Sequence, residues 1–194
     1  MIKVNPPLAL RMPQKLLQDP ELRNYFQDIQ TILWQLATKI EQMNKHGSFF
    51  DTTTQTAAAI NTAYAVTFNN TDVSTGVSIG TPTSRIQVEV DGIYNFQFSM
   101  QLINTSGGAH SVFIWYRVNG VDIPNSATEL RLQGNNAEQV AAWNFMVTMD
   151  AGDYWELMWS VNDTAVQITQ FAASSPVPAV PSVILTVDYV GYEV

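Results

Sequence analysis

The sequence predicts an all-β domain, a sandwich or barrel, preceded by one coiled-coil helix. Two observations carry this. From Leu22 to Met43 the apolar residues recur at spacings of four, three, four, three, four and three, the period of a helix seam. From about Thr56 the period drops to two, and short apolar stretches alternate with turn residues, with no second helix pattern. Many short strands separated by such turns pack as a sandwich or barrel.

The helix comes first. Phe26, Leu33 and Ile40 fall at a, and Leu22, Ile29, Leu36 and Met43 at d. Asp19 and Pro20 supply an N-cap and a first-turn proline, and Glu21 faces the positive helix end. Lys45 and His46 are expected in the last turn, with Gly47 as the stop. A seam of about 22 residues rises roughly 33 Å. A helix this short is marginal alone in water, so the seam needs a partner, either its own domain or other copies. Ile29 at d and Leu33 at a disfavour a dimer, and Tyr25 and Ile32 at g widen the stripe. A homotrimer is the expectation.

Composition bounds the rest. The chain has 194 residues, which leaves one domain of ordinary size after the helix. Charged residues are only 13%, so Asn, Gln, Ser and Thr must cover the surface. A formal net charge of -8 argues against a phosphate-binding surface, hence no nucleic-acid partner. With no cysteine there is no disulfide framework, thiol chemistry or cysteine-zinc site. No apolar run is long enough to span a bilayer, and Met1 to Pro7 lacks the apolar core of a signal peptide. No membrane partner is expected, and synthesis in a cytoplasm is.

The expected organisation has four parts. Residues 1–18 carry Pro6, Pro7 and Pro13, which keep the backbone extended. They form either a disordered tail or a docking arm that buries Leu8, Leu10, Leu16 and Leu17 on a larger particle. Residues 19–46 are the stalk, 47–61 a polar neck, and 62–194 the β head. Strands are expected near 62–68, 73–79, 84–90, 92–103, 111–118, 127–132, 138–149, 153–161, 164–171 and 182–190. Asn119-Gly120, Asp91-Gly92 and Asp150-Ala151-Gly152 are among the turns between them. Alternation is cleanest after Gly92: Tyr94, Phe96, Phe98, Met100 and Leu102 share one face, and Asn95, Gln97, Ser99 and Gln101 the other. The strand from Ser111 to Val118 is apolar on both faces, which fits a doubly covered central strand or a subunit interface.

Gly92-Ile93-Tyr94-Asn95-Phe96-Gln97-Phe98 resembles the G-x-Y-x-F-x-[FY] segment of complement-one-q globular heads, which share a trimeric jelly roll with tumour necrosis factors. Phe68-Asn69-Asn70 upstream and Met149-Asp150-Ala151-Gly152-Asp153-Tyr154-Trp155 downstream are similar to further segments of that family. The likeness covers residues 62 to 161. It departs at the end, where Val183 to Tyr189 stands in place of the family's Phe-Gly pair. The resemblance implies a jelly-roll sandwich of the tumour-necrosis-factor type and a homotrimer; no ligand site is carried over. The layout of proline-rich arm, short coiled coil and cysteine-free head resembles small structural proteins of tailed phages.

Chemistry-bearing residues are few. His46 and His110 suit solvated polar positions, and the acidic residues are scattered singly. Asp150 and Asp153 flank a glycine and suit either a solvated hairpin or a calcium ion, which takes oxygen ligands. Trp143, Trp155 and Trp159 sit at alternating positions that suit a core better than a sugar platform. No paired carboxylates, nucleophile elbow or phosphate loop can be read, so the expectation is no enzyme, no cofactor and no metal.

The expected function is a bacteriophage virion appendage, a short tail or capsid fibre. Its arm would dock on other virion proteins, and its head would take a host-surface glycan or protein by avidity. A structural decoration without receptor binding and a soluble trimeric receptor ligand are the alternatives. Counting strands from Gly92 places the Asn104-to-His110 loop and Gly134-Asn135-Asn136 at one end. Asn104, His110, Asn135 and Asn136 are the candidate recognition residues there. The Phe171-to-Pro181 connection, apolar and proline-rich, is long enough to be functional or mobile.

Overall fold

A computed structural model describes residues 18–192, with only the backbone described at Gln42 and Met43. The docking-arm leucines, Leu8, Leu10, Leu16 and Leu17, lie outside the described residues. The chain divides into a helical unit and a β unit, with the boundary between Asn44 and Lys45.

The helix α1 runs Pro20–Met43. Asp19 caps it: its carboxylate accepts the N–H groups of Glu21 (3.0 Å) and Leu22 (3.3 Å), two of the donors a helix start leaves unpaired. The other end differs from expectation. The helix stops at Met43 with Asn44 as C-cap, and no basic residue occupies the last turn. Lys45, His46 and Gly47 belong to the β unit instead.

The strands in order are β1 (His46–Asp51), β2 (Gln55–Thr56), β3 (Tyr64–Ala65), β4 (Asn70–Thr75), β5 (Val77–Ile79), β6 (Ile86–Val88) and β7 (Gly92–Asn104). They continue with β8 (Ala109–Val118), β9 (Val121–Asp122), β10 (Thr128–Gln133), β11 (Ala137–Met149), β12 (Tyr154–Val161), β13 (Val166–Ile168) and β14 (Val183–Gly191). They form a sandwich. The first sheet is ordered β2-β13-β7-β14-β1-β4, with β11 on the other side of β7. The second is ordered β10-β8-β12-β6-β5, with β3 on β12 and β9 on β8. Counting β1, β6, β7, β8, β10, β11, β12 and β14 as one to eight, the sheets run 1-8-3-6 and 2-7-4-5. That is jelly-roll order.

β1 corrects the expected neck at 47–61. It lies inside the first sheet between β14 and β4, with His46 opposite Asp188 and Asp51 opposite Val183. Phe49 is fully buried in the core, so the head starts at Lys45 and not near residue 62. The carbonyl of Lys45 already accepts the N–H of Tyr189 at 2.9 Å. Asp51 ends the strand buried, accepting the N–H (2.7 Å) and hydroxyl (2.5 Å) of Thr53 and the hydroxyl of Thr67 (3.2 Å). These bonds replace the water lost on burial.

β7 is the spine. Tyr94, Phe96, Phe98, Met100 and Leu102 all enter the core, as the alternation predicts. Phe96 stacks on Trp155 of the second sheet with ring centroids 4.5 Å apart, one of the contacts that join the two layers. Tyr94 is buried and donates to the Val90 carbonyl at 2.8 Å, and burial pushes its hydroxyl up to about 12. Gly92 is required where it stands: at φ +151 a Cβ would lie 2.3 Å from the Tyr189 ring. Asn119 and Gly120 take φ of 51 and 79, the geometry that joins β8 to β9 in two residues.

Candidate functional site

Three described regions expose groups that a partner can use: the seam of α1, the loop end of the sandwich, and the outer face of the first sheet. On α1 the seam is bare. Leu22, Ile29, Leu33, Leu36 and Ile40 are all exposed, and Phe26 is half-buried. The side chain of Met43 falls outside the described residues. Tyr25 and Ile32 are exposed beside the seam. An amphipathic stripe of this length in water is stable only when covered.

The loop end lies opposite the end where the chain enters β1. Here the structure brings 104–110, 134–136 and 162–165 together. The pin is Asn104, and it corrects an expectation. Its side chain is fully buried and not part of an exposed tip. Its Nδ2 donates to the carbonyls of Gly134 (3.0 Å) and Gly108 (3.4 Å), and its Oδ1 accepts the Ser106 N–H at 3.1 Å. The Asn136 N–H donates to the Asn104 carbonyl at 2.7 Å. Thr105 ties the third loop, donating from its N–H and its hydroxyl to the Ala165 carbonyl, both at 3.0 Å. One amide thus satisfies backbone groups from two turns, a role its position in a loop did not signal. Replacing Asn104 by Ala strands these groups and should cost about 1–3 kcal/mol. Hydrogen exchange should then rise at residues 104–110 and 134–136 together; a change confined to the first loop would contradict the shared pin.

His110 is also mostly inward. Its Nε2 lies 3.0 Å from Ser106 Oγ and 3.1 Å from the Gly107 carbonyl, and its Nδ1 lies 3.6 Å from Asp163 Oδ2. Ser, His and Asp in this order suggest a nucleophile relay. Nε2 also faces the Gly107 carbonyl, and the three side chains link the 104–110 and 162–165 loops. The arrangement works as a latch between two loops. Exposed at this end are Thr105, Gly107, Gly108, Asn135, Asn136, Asn162 and Thr164. These are small and neutral, with positive φ at Gly108 and Asn136.

The outer face of the first sheet has no counterpart in the expected site residues. Directly opposed residues share a face, which gives rows such as Asn144, Gln97, Thr186, Ser48 and Val73. Val140 and Met146 are each 52% exposed, Val190 51% and Ile184 41%. The second sheet's outer face is charged instead. Arg117 holds Asp122 through 2.6 and 3.2 Å contacts, and Ser111 donates to Glu129 at 2.6 Å. That pairing with Arg117, with help from Trp115, keeps the Asp122 carboxyl below the usual range. Its small, solvent-screened contribution is therefore present at neutral pH and lost as pH falls through that lowered value. Phe113 on this face stays 37% exposed, while Met158 beside Trp115 is buried, so β8 is covered only in part. Trp155 and Trp159 are core residues; Trp143 is half-buried against Phe98.

No protein-family model matches the chain, and no curated protein matches it. Among solved structures it is similar to the globular domain of zebrafish complement 1qA protein. The two share 13% identity, with 77% of this chain and 100% of that chain covered at a TM-score of 0.45.

Proposed function

We propose that three copies of this chain assemble through α1 and that the trimer is a bacteriophage virion appendage, anchored by residues 1–18 and presenting the jelly-roll head. The observation that supports assembly is the capped 24-residue helix whose heptad seam is exposed. Placement on a particle is supported by the layout of arm, helix and cysteine-free head. The head acts by binding and not by catalysis, and needs no metal or cofactor. Its ligand is a host-surface glycan or protein, contacted at the loop end by Asn135 and Asn136 with the neighbouring glycines. Those groups donate and accept hydrogen bonds without charge, which suits sugar hydroxyls. Weak sites repeated on each trimer and on each particle multiply into useful avidity.

The test uses particles carrying Asn135→Ala together with Asn136→Ala. Adsorption to host cells should fall by about tenfold or more, since each weakened site is multiplied across the trimer. Unchanged adsorption with intact trimers would leave the head as decoration. Activity of the free protein on cells, with no particle required, would favour a soluble trimeric ligand.

A further inference from the structure

β13 and β14 run antiparallel to β7 along the same side of it. Ile168 lies opposite Leu102 and Val183 opposite Met100, so the two are collinear halves of one strand, interrupted opposite Gln101. The Thr169 N–H donates to the Gln101 carbonyl (2.8 Å), and the Gln101 N–H donates to the Ser182 carbonyl (2.9 Å). The chain therefore leaves the sheet and returns at a single residue of β7. The far flank is occupied too: Asp51 of β1 pairs with Val183, and Gln55 of β2 with Ile168. Met100, Leu102, Ile168 and Val183 fill the space on the inner side. Opposite this gap lie residues 52–54, between β1 and β2, where the Gln170 N–H donates to Thr54 Oγ1 at 3.4 Å, and the excursion leaves the sheet toward solvent.

It is an ordered hairpin. Phe171 and Val180 exchange hydrogen bonds of 3.0 and 2.9 Å, and Ser174 and Val177 exchange bonds of 2.9 and 2.6 Å. Residues 172–179 are all exposed, carry no charge and are mostly Ala, Pro and Val, with Val177 55% exposed. The outer face of the first sheet shows the same character. Val140, Met146 and Ile184 are exposed among neutral amides and hydroxyls, and Glu138 and Asp188 are the carboxylates on the β7, β11 and β14 part of the face. A chain of net charge -8 repels its own copies, so the face that can meet another copy is the one with the fewest charges. The charge-poor face and the apolar hairpin are continuous, since β14 begins where the hairpin returns.

We propose that hairpin 171–180 is a clasp that lies against the outer face of the first sheet of a second copy of this chain. The proposal rests on the trimer reading and gives the heads their own contact, independent of α1. The test places a photo-reactive benzoylphenylalanine at Val177 in the full chain, with Glu129 on the second sheet as control site. Irradiated samples are resolved on a denaturing gel, cross-linked peptides are mapped, and sedimentation of the same sample gives its mass. The expected result is a trimer in which the Val177 probe, and not the Glu129 probe, forms covalent dimers whose peptides map to 138–149 or 184–190. A trimer whose Val177 probe reacts only within its own chain, or not at all, overturns the clasp and leaves assembly through α1 standing. A monomer overturns both. Replacing residues 172–179 by a short Gly-Ser turn keeps the Gln101 anchor bonds and should weaken trimer association about tenfold. An unchanged dissociation constant would also overturn the clasp.

Discussion

Replacing Leu33 and Leu36 together by Asp should dissociate the assembly while leaving the heads folded. Both positions lie on the exposed seam of α1. Once the seam is covered, each carboxylate is buried without a partner, at about 3–5 kcal/mol apiece. Repeated on every chain, that exceeds what a short bundle can gain from its apolar burial. Sedimentation velocity should show the fast species replaced by a slow one, with the β-sheet circular dichroism of the head retained. The control is Trp34→Ala. Trp34 is 58% exposed and sits at b, off the seam, so its loss should move neither signal. Persistence of the fast species in the double variant would mean that the heads alone hold the chains together.

Trp155→Ala should produce the largest loss of stability in the head. Trp155 has no exposed surface, stacks on Phe96 at 4.5 Å, and lies near Phe145 and Tyr116, so its removal empties the layer between the sheets. Truncations of this kind cost about 3–5 kcal/mol, a large part of the roughly 5–15 kcal/mol available to a domain. The melting midpoint should fall by roughly 10 °C or more. A shift of only about 2 °C would show that the site refills and that this contact does not join the layers.

The elements legible in the sequence were those whose signal is local. The Asp19 cap, the seam of α1, the alternation of β7 and the Asn119-Gly120 turn each depend on neighbouring residues. β1 was illegible for the opposite reason. Its inward positions are Gly47, Phe49 and Asp51, a single large apolar residue, and Lys45-His46-Gly47 has the composition of a helix stop. Only β14, at the far end of the chain, fixes it as a strand. Asn104 had the composition of an exposed loop residue, yet its burial is set by two other segments converging on it. The Phe171-to-Pro181 connection stood out by length and composition. Its place in the middle of a sheet follows from the registers of β13 and β14, which no local pattern encodes.

Sedimentation equilibrium of the 194-residue chain decides whether α1 joins three copies. A single species of three chain masses is expected across the micromolar range, because a covered seam on α1 holds the copies together. A single species of one chain mass at those concentrations would contradict it.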